Sequence, residues 1–170
     1  NALVPTFGGS VKPTSRYPAA AEAGIASDDR PTLIVGFRSL TDYDARAFAG
    51  RLAAAGVPFD VAGAEVEFAE AFRADTKVTR LAKALDHDED IDGVPAREAL
   101  AKAVAPHLND VVDEAGGADR VERVGFPAFL GDQHGEAVRE ELADRLGVDV
   151  FEIPMGPPSL PGLRLEDRLY

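Results

Sequence analysis

The sequence predicts an α/β fold: a three-layer domain of about four mainly parallel strands with helices on both faces, Rossmann-like in outline but without a dinucleotide fingerprint. Three observations predict it. Short continuous apolar runs, suited to strands buried on both faces, recur along the chain. Between them lie segments whose apolar residues are spaced three and four apart, the period of a half-buried helix. Strands and helices alternating in this way build βαβ units and a parallel sheet.

The first strand is Thr32-Leu-Ile-Val-Gly-Phe37. Thr41, with Asp44 three residues on, resembles a capping box, so the sequence places the next helix start there. That helix puts Ala45, Phe48, Leu52 and Ala55 on one face, and Gly56 suits its end. A second strand is expected over residues 58–68, where Pro58 and Gly63 point to an edge position or a bulge. Residues 75–85 read as a helix with Val78, Leu81, Ala82 and Leu85 inward. An acidic loop over residues 86–93 precedes a longer helix from Pro95, which Pro106 should kink or break and Gly116-Gly117 should end. Residues 121–128 form the third strand candidate. Residues 132–146 form a helix with Val138, Leu142 and Leu146 inward and Gly147 as its stop, and residues 148–153 are the fourth strand.

Both ends lie outside this pattern. Residues 1–24 hold five Gly or Ser and three Pro. After Ile153 come Pro154, Pro157, Pro158 and Pro161, a run that fixes φ and removes backbone donors, so it reads as a rigid extended connector. The chain opens at Asn1 and closes at Tyr170, one turn into what reads as a new helix, and is expected to be an internal piece of a longer protein. A secretory leader is not indicated. No apolar run approaches the roughly 18 residues of a membrane span.

Composition narrows the classes. At 170 residues with 45% hydrophobic content the chain suits one cored domain. The absence of cysteine removes disulfides, thiolate metal sites and thiol nucleophiles. Net charge is −12; 17 of the acids are Asp, and only Lys12, Lys77, Lys83 and Lys102 are lysines. Such a surface repels nucleic acid and anionic membranes. The joint bias points to a haloarchaeal-like protein adapted to high salt, where close-range screening relieves the repulsion.

Few constellations carry chemistry. Neither Gly-x-Gly-x-x-Gly nor Gly-x-x-x-x-Gly-Lys-Ser/Thr occurs, which argues against a nucleotide-binding domain. Asp88, Asp90, Asp92 and Gly93 match the start of an EF-hand loop, but the bidentate position falls on Ala99, so a solvated acidic loop is the simpler reading. His87, His107 and His134 are scattered and suit the surface. Ser159 lacks a nucleophile elbow. No catalytic residue is assigned and no metal is expected. Two loops follow strand carboxyl ends, where α/β sheets place ligands: residues 36–42 and 125–131. Arg38 in the first has the fork to bind an anion or to pair with Asp42 or Asp44. Gly131 and Asp132 in the second suit a turn and an N-cap.

Four segments in order resemble one family, the B-type flavoprotein subunits of anaerobic glycerol-3-phosphate dehydrogenase. They are Ile34-Val-Gly-Phe-Arg-Ser-Leu-Thr-Asp-Tyr43, residues 72–86, Phe126-Pro-Ala-Phe-Leu-Gly131 and, most specific, the Pro-Pro-Ser pattern over residues 153–165. The resemblance spans about residues 32–169. It implies FAD or FMN in the intact protein, none in this stretch, and oxidation of glycerol 3-phosphate to dihydroxyacetone phosphate with electrons passed to a respiratory chain. It implies a second flavin subunit and an iron–sulfur, membrane-associated subunit as partners, and a cytoplasmic location at the inner face of the membrane through such a partner. Residues 1–25 would then belong to the neighbouring flavin or substrate domain, 26–153 to an inserted α/β domain, and 154–170 to the connector and start of a return helix. Arg38, Pro157, Pro158, Ser159 and Arg164 would face substrate or flavin, although Arg164 can equally pair with Glu166 or Asp167. The alternative is a non-catalytic α/β domain that docks another subunit; a free-standing nucleotide or sugar-phosphate binder fits least, given the missing fingerprints.

Overall fold

A computed structural model describes residues 2–26, 28–40, 43–67, 77–112 and 116–155. Strands β1 (Ala2–Pro5) and β2 (Val11–Thr14) form an antiparallel ribbon of their own. A 3-10 turn (Ala19–Gly24) leads to β3 (Thr32–Phe37), α1 (Ala45–Ala54) and β4 (Val61–Val66). Then come α2 (Val78–Asp86), a small hairpin of β5 (Asp90–Ile91) and β6 (Val94–Pro95), and α3 (Ala96–Val104) with a 3-10 turn at Ala105–His107. A second small ribbon, β7 (Val111–Val112) and β8 (Ala118–Asp119), precedes β9 (Arg123–Pro127), α4 (Gly135–Leu146) and β10 (Asp149–Ile153).

The main sheet is parallel throughout, in the order β10-β9-β3-β4. The chain steps one way from β3 to β4 and the other way from β9 to β10. Right-handed crossovers therefore send α1 to one face, and α2, α3 and α4 to the other. The direction reverses between β3 and β9, which makes the crevice at their carboxyl ends the topological switch point. The core confirms the apolar runs: Leu33, Ile34, Val35, Val124, Phe126 and Ile153 are buried, with Phe48 and Leu52 from α1 and Leu142 and Val138 from α4 packed over them.

Several expectations change in detail. Helix α1 begins at Ala45, and its N-cap is Asp44, whose Oδ1 accepts from Ala47 N at 2.9 Å. Thr41 lies outside the described residues. Ala49 takes the buried place expected of Ala55, which is exposed. β4 is the edge strand, but its register with β3 runs unbroken from Thr32–Val61 to Phe37–Val66. Gly63 marks close packing instead of a bulge: a Cβ there would lie 2.3 Å from the Ala45 carbonyl oxygen. Helix α3 ends near Pro106, and Gly116, at φ +82, belongs to the later ribbon and not to a helix end. Helix α4 starts at Gly135 with His134 as its N-cap, three residues beyond the expected start. Gly147 stops it in the left-handed region at φ +69.

Candidate functional site

In a parallel α/β sheet the helices run opposite to the strands, so their N-termini gather at the strands' carboxyl ends. Unpaired N–H groups and the helix dipole make that crown attractive to anions. The two turns flanking the switch point are those from β3 to α1 and from β9 to α4.

At the first turn, Gly36, the last residue but one of β3, sits beside its register partner Glu65 on β4. The Glu65 carboxylate lies across the bare Gly36 Cα. A Cβ at Gly36 would stand 2.5 Å from Glu65 Oε1 and 2.8 Å from Oε2. Glu65 Oε1 accepts from Ala45 N, the first residue of α1, at 2.8 Å. Two carboxylates, Glu65 and Asp44, thus cap one helix start. Tyr43 is buried against Phe48, ring centroids 5.6 Å apart. Burial, reinforced by the Glu65 charge, pushes its hydroxyl up, so it stays protonated.

The second turn repeats the arrangement. Gly131, at φ +84, has no room for a Cβ, which would meet Asp86 Oδ1 at 2.3 Å. Asp86 comes from the last turn of α2. Its Oδ2 accepts from Asp132 N and Gln133 N, both at 2.8 Å, and its Oδ1 from His134 N at 3.0 Å. Burial pushes the Asp86 carboxyl up, but the N–H groups of Gln133, His134 and Asp132 outweigh it and hold the group below its ordinary value. Asp86 is itself fixed: Arg97 Nη2 donates to its carbonyl at 3.0 Å and Nε to that of Leu85 at 2.8 Å, while Nη1 reaches Glu141 on α4 at 2.8 Å. A third carboxylate, buried Glu152 on β10, accepts from Leu130 N at 2.8 Å.

Among the described residues, aromatic side chains pack across the crevice between the turns. Phe129 is fully buried and meets Phe37 edge to face, centroids 4.9 Å apart, with Phe126 beyond it at 6.2 Å. A sheet that binds phosphates leaves this crevice open and its N–H groups free. Here both are used internally.

The opposite end of the sheet holds the largest fully buried side chain among the described residues, Arg123 at the start of β9. Its Nε donates to Thr32 Oγ1 at 2.6 Å and its Nη1 to the carbonyls of Ala23 at 3.2 Å and Ile25 at 3.0 Å. Nη1 also stands 3.2 Å from Asp28 Oδ1, and the guanidinium lies 4.4 Å from the Phe59 ring centroid. Burial pushes the guanidinium down and Asp28 opposes it; the group remains charged. Beside it Arg30 pairs with Asp28 and, at 2.7 Å, with Asp149. Arg30, Arg120, Glu122, Asp144, Gly147 and Asp149 line an open cavity of about 820 Å³ whose walls carry charges of both signs.

Of the residues singled out from sequence, Arg38 is exposed and pairs with Glu67 at 2.7 Å; Asp42, named as one partner for it, lies outside the described residues. Pro157, Pro158, Ser159 and Arg164 lie outside the described residues. In the acidic loop, Asp88 Oδ1 accepts from Arg97 N and Asp90 Oδ1 from Gly93 N. Among the described residues no cluster of three or more His, Asp or Glu is arranged to hold a metal, and no helix is long and apolar enough to cross a membrane.

Residues 1–169 match a family described as FAD binding domain. Two relatives, each called a probable anaerobic glycerol-3-phosphate dehydrogenase of the B-subunit type and drawn from Halobacterium salinarum strains R1 and NRC-1, are 57% identical over 174 residues. The match covers all of this chain and 38% of each relative, so the chain spans well under half of their length. No solved structure matches.

Proposed function

The chain belongs to the FAD binding domain family, and from that membership we propose that the intact protein is a flavin-dependent dehydrogenase that oxidises glycerol 3-phosphate to dihydroxyacetone phosphate and passes the electrons to a respiratory chain. The identity of 57% to the Halobacterium relatives over the whole chain carries this reading. Their naming as one subunit among others supports a multi-subunit assembly, with a second flavin subunit and an iron–sulfur, membrane-associated subunit as partners, and a cytoplasmic site at the membrane face reached through that partner. The net charge of −12 agrees with a salt-rich cell interior.

Within that protein, the division proposed is a segment over residues 1–25 shared with the neighbouring domain, an inserted α/β domain over 26–153 and a connector over 154–170. The β1–β2 ribbon supports the first part, since it forms a sheet apart from the main one. The connector would bring Pro157, Pro158, Ser159 and Arg164 to the wall facing flavin or substrate, with Arg164 gripping the substrate phosphate bidentately. Arg38, held by Glu67 in solvent, is the weaker candidate for that wall.

Arg164→Lys in the intact complex keeps the charge and loses the fork. KM for glycerol 3-phosphate should rise about tenfold or more, since a charged hydrogen bond is worth roughly 1.5–3 kcal/mol. Unchanged KM and kcat would remove Arg164 from the substrate site. A second reading, a non-catalytic docking domain, draws on the large apolar side chains exposed among the described residues: Leu3, Phe7 and Tyr17, all on or beside the ribbon. It predicts that polar substitutions at these three weaken subunit assembly while kcat of the assembled fraction is unchanged.

A further inference from the structure

Membership of an FAD-binding family raises the question of whether this sheet holds the cofactor's pyrophosphate, and the described residues do not fit it. A pyrophosphate needs free N–H groups at a helix start, a glycine with open space above it and an unfilled switch-point crevice. The two glycines are present, Gly36 and Gly131, but the space above each holds a carboxylate oxygen. The N–H of Ala45 is taken by Glu65, and those of Asp132, Gln133 and His134 are taken by Asp86. The crevice between them is occupied by Phe129 on Phe37. Any phosphate approaching either turn would meet resident negative charge at van der Waals distance.

We propose that this domain is a dinucleotide-type sheet whose two anion cradles carry built-in ligands, Glu65 over Gly36 and Asp86 over Gly131, and that the FAD pyrophosphate is therefore bound by residues outside this sheet. A carboxylate places two acceptor oxygens where a phosphate would place its own. The bare glycines admit the anion, and only the source of that anion has changed, from a bound cofactor to the chain itself. The sheet thereby keeps the architecture of a cofactor-binding domain while its crown serves to lock the start of α1 to β4 and the start of α4 to α2. The proposal rests on the turns and not on the substrate, so its failure would leave the dehydrogenase reading untouched.

The test uses the 170-residue chain at constant ionic strength, with FAD, ADP and inorganic phosphate as probes. Amide resonances of Ala45, Asp132, Gln133 and His134 are followed by two-dimensional NMR, and melting temperature is followed in parallel. The wild-type chain should show no saturable response to any of the three, and dialysis after FAD loading should leave it colourless. Saturable shifts of these four amides with ADP or FAD would overturn the proposal. Asp86→Ala should then turn the second cradle into a phosphate site, with saturable shifts at Asp132, Gln133 and His134 and a rise in melting temperature. A folded Asp86→Ala chain blind to phosphate would show that the turn is no anion cradle. Should that variant not fold, Asp86→Ser, which is shorter but keeps an acceptor, carries the same two outcomes. If neither folds, the wild-type response to ADP and FAD decides.

Discussion

At the carboxyl end of the parallel sheet the buried charge is negative. It is carried by Asp86 and Glu152, with the half-buried Glu65 beside them, and the partners of all three are backbone N–H groups. At the amino end it is positive, carried by Arg123, and its partners are two carbonyls, the Thr32 hydroxyl and Asp28. Each sign sits where the dipoles of α1 and α4 favour it, because their N-termini lie at one end and their C-termini at the other, although Asp86 itself is delivered by the last turn of α2. The two ends differ in what they join. The acids close turns within the α/β unit. Arg123 reaches out of it, to the 3-10 turn that joins the β1–β2 ribbon to β3. Charge buried against amides stiffens the domain, while charge buried against the carbonyls of a separate segment attaches that segment to it.

The sharpest way to break this comparison is at the amino end. Arg123→Ala strips a fully buried fork and leaves the Ala23 and Ile25 carbonyls and Thr32 without their donor. Stability should fall by about 3–5 kcal/mol, seen as a drop in Tm of roughly 10 °C. Residues 1–25 should become the first site of limited proteolysis. Arg123→Lys keeps the charge but not the geometry and should recover only part of the loss.

Next comes Asp86→Asn, which keeps one acceptor oxygen and loses the charge. The Asp86 pKa is depressed on folding, so its contribution is present above the unfolded value near 3.9 and is lost as pH falls through the folded value. Denaturant titrations should show the variant about 1–2 kcal/mol less stable at pH 7, with the gap closing below about pH 4. A gap unchanged at pH 3 would mean that the charge is not what the clamp uses. Asp28, Glu89 and Glu141, also depressed, keep some acid sensitivity in both proteins.

Glu65→Gln should cost less, about 1 kcal/mol or below, since Glu65 receives one described amide where Asp86 receives three. A loss equal to that of Asp86→Asn would break the ranking of the two turns. The smallest expected effect is on salt dependence of these differences. Tm of wild type and variants alike should climb as KCl rises from millimolar to molar, because screening relieves the repulsion of a net charge of −12. The gaps between them should hold within about 0.5 kcal/mol, since contacts at 2.6–3.0 Å in a dry interior are screened little.

The elements of the main sheet could be read from the chain because each leaves a local pattern: an unbroken apolar run for β3, shorter apolar runs after Arg123 in β9 and around Glu152 in β10, spaced apolar residues for α1, α2 and α4, and Gly147 as a stop. The errors were also local. Thr41 and Asp44 both suit a cap, and the side-chain bond to Ala47 decides for Asp44. Gly63 reads as a bulge until the helix backbone above it is seen. Glu65, Asp86, Glu152 and Arg123 left no such pattern. Their partners lie 20, 46 to 48, 22 and 91 to 100 residues away, so no spacing rule reaches them. Gly36 near the end of β3 and Gly131 in the turn after β9 were the trace of the first two, and such a glycine signals a close neighbour without saying which.

The Asp86 clamp also fixes a sequence of events during synthesis. Asp86 leaves the ribosome 46 to 48 residues ahead of the amides it will receive. Until that span closes, the start of α4 has no internal acceptor, and β10 has no finished helix to return from. Closing a loop of this length costs chain entropy before any contact repays it. The β9–α4–β10 unit is therefore expected to be the last part of the sheet to be sealed, with the α2 end that carries Asp86 already in place to receive it.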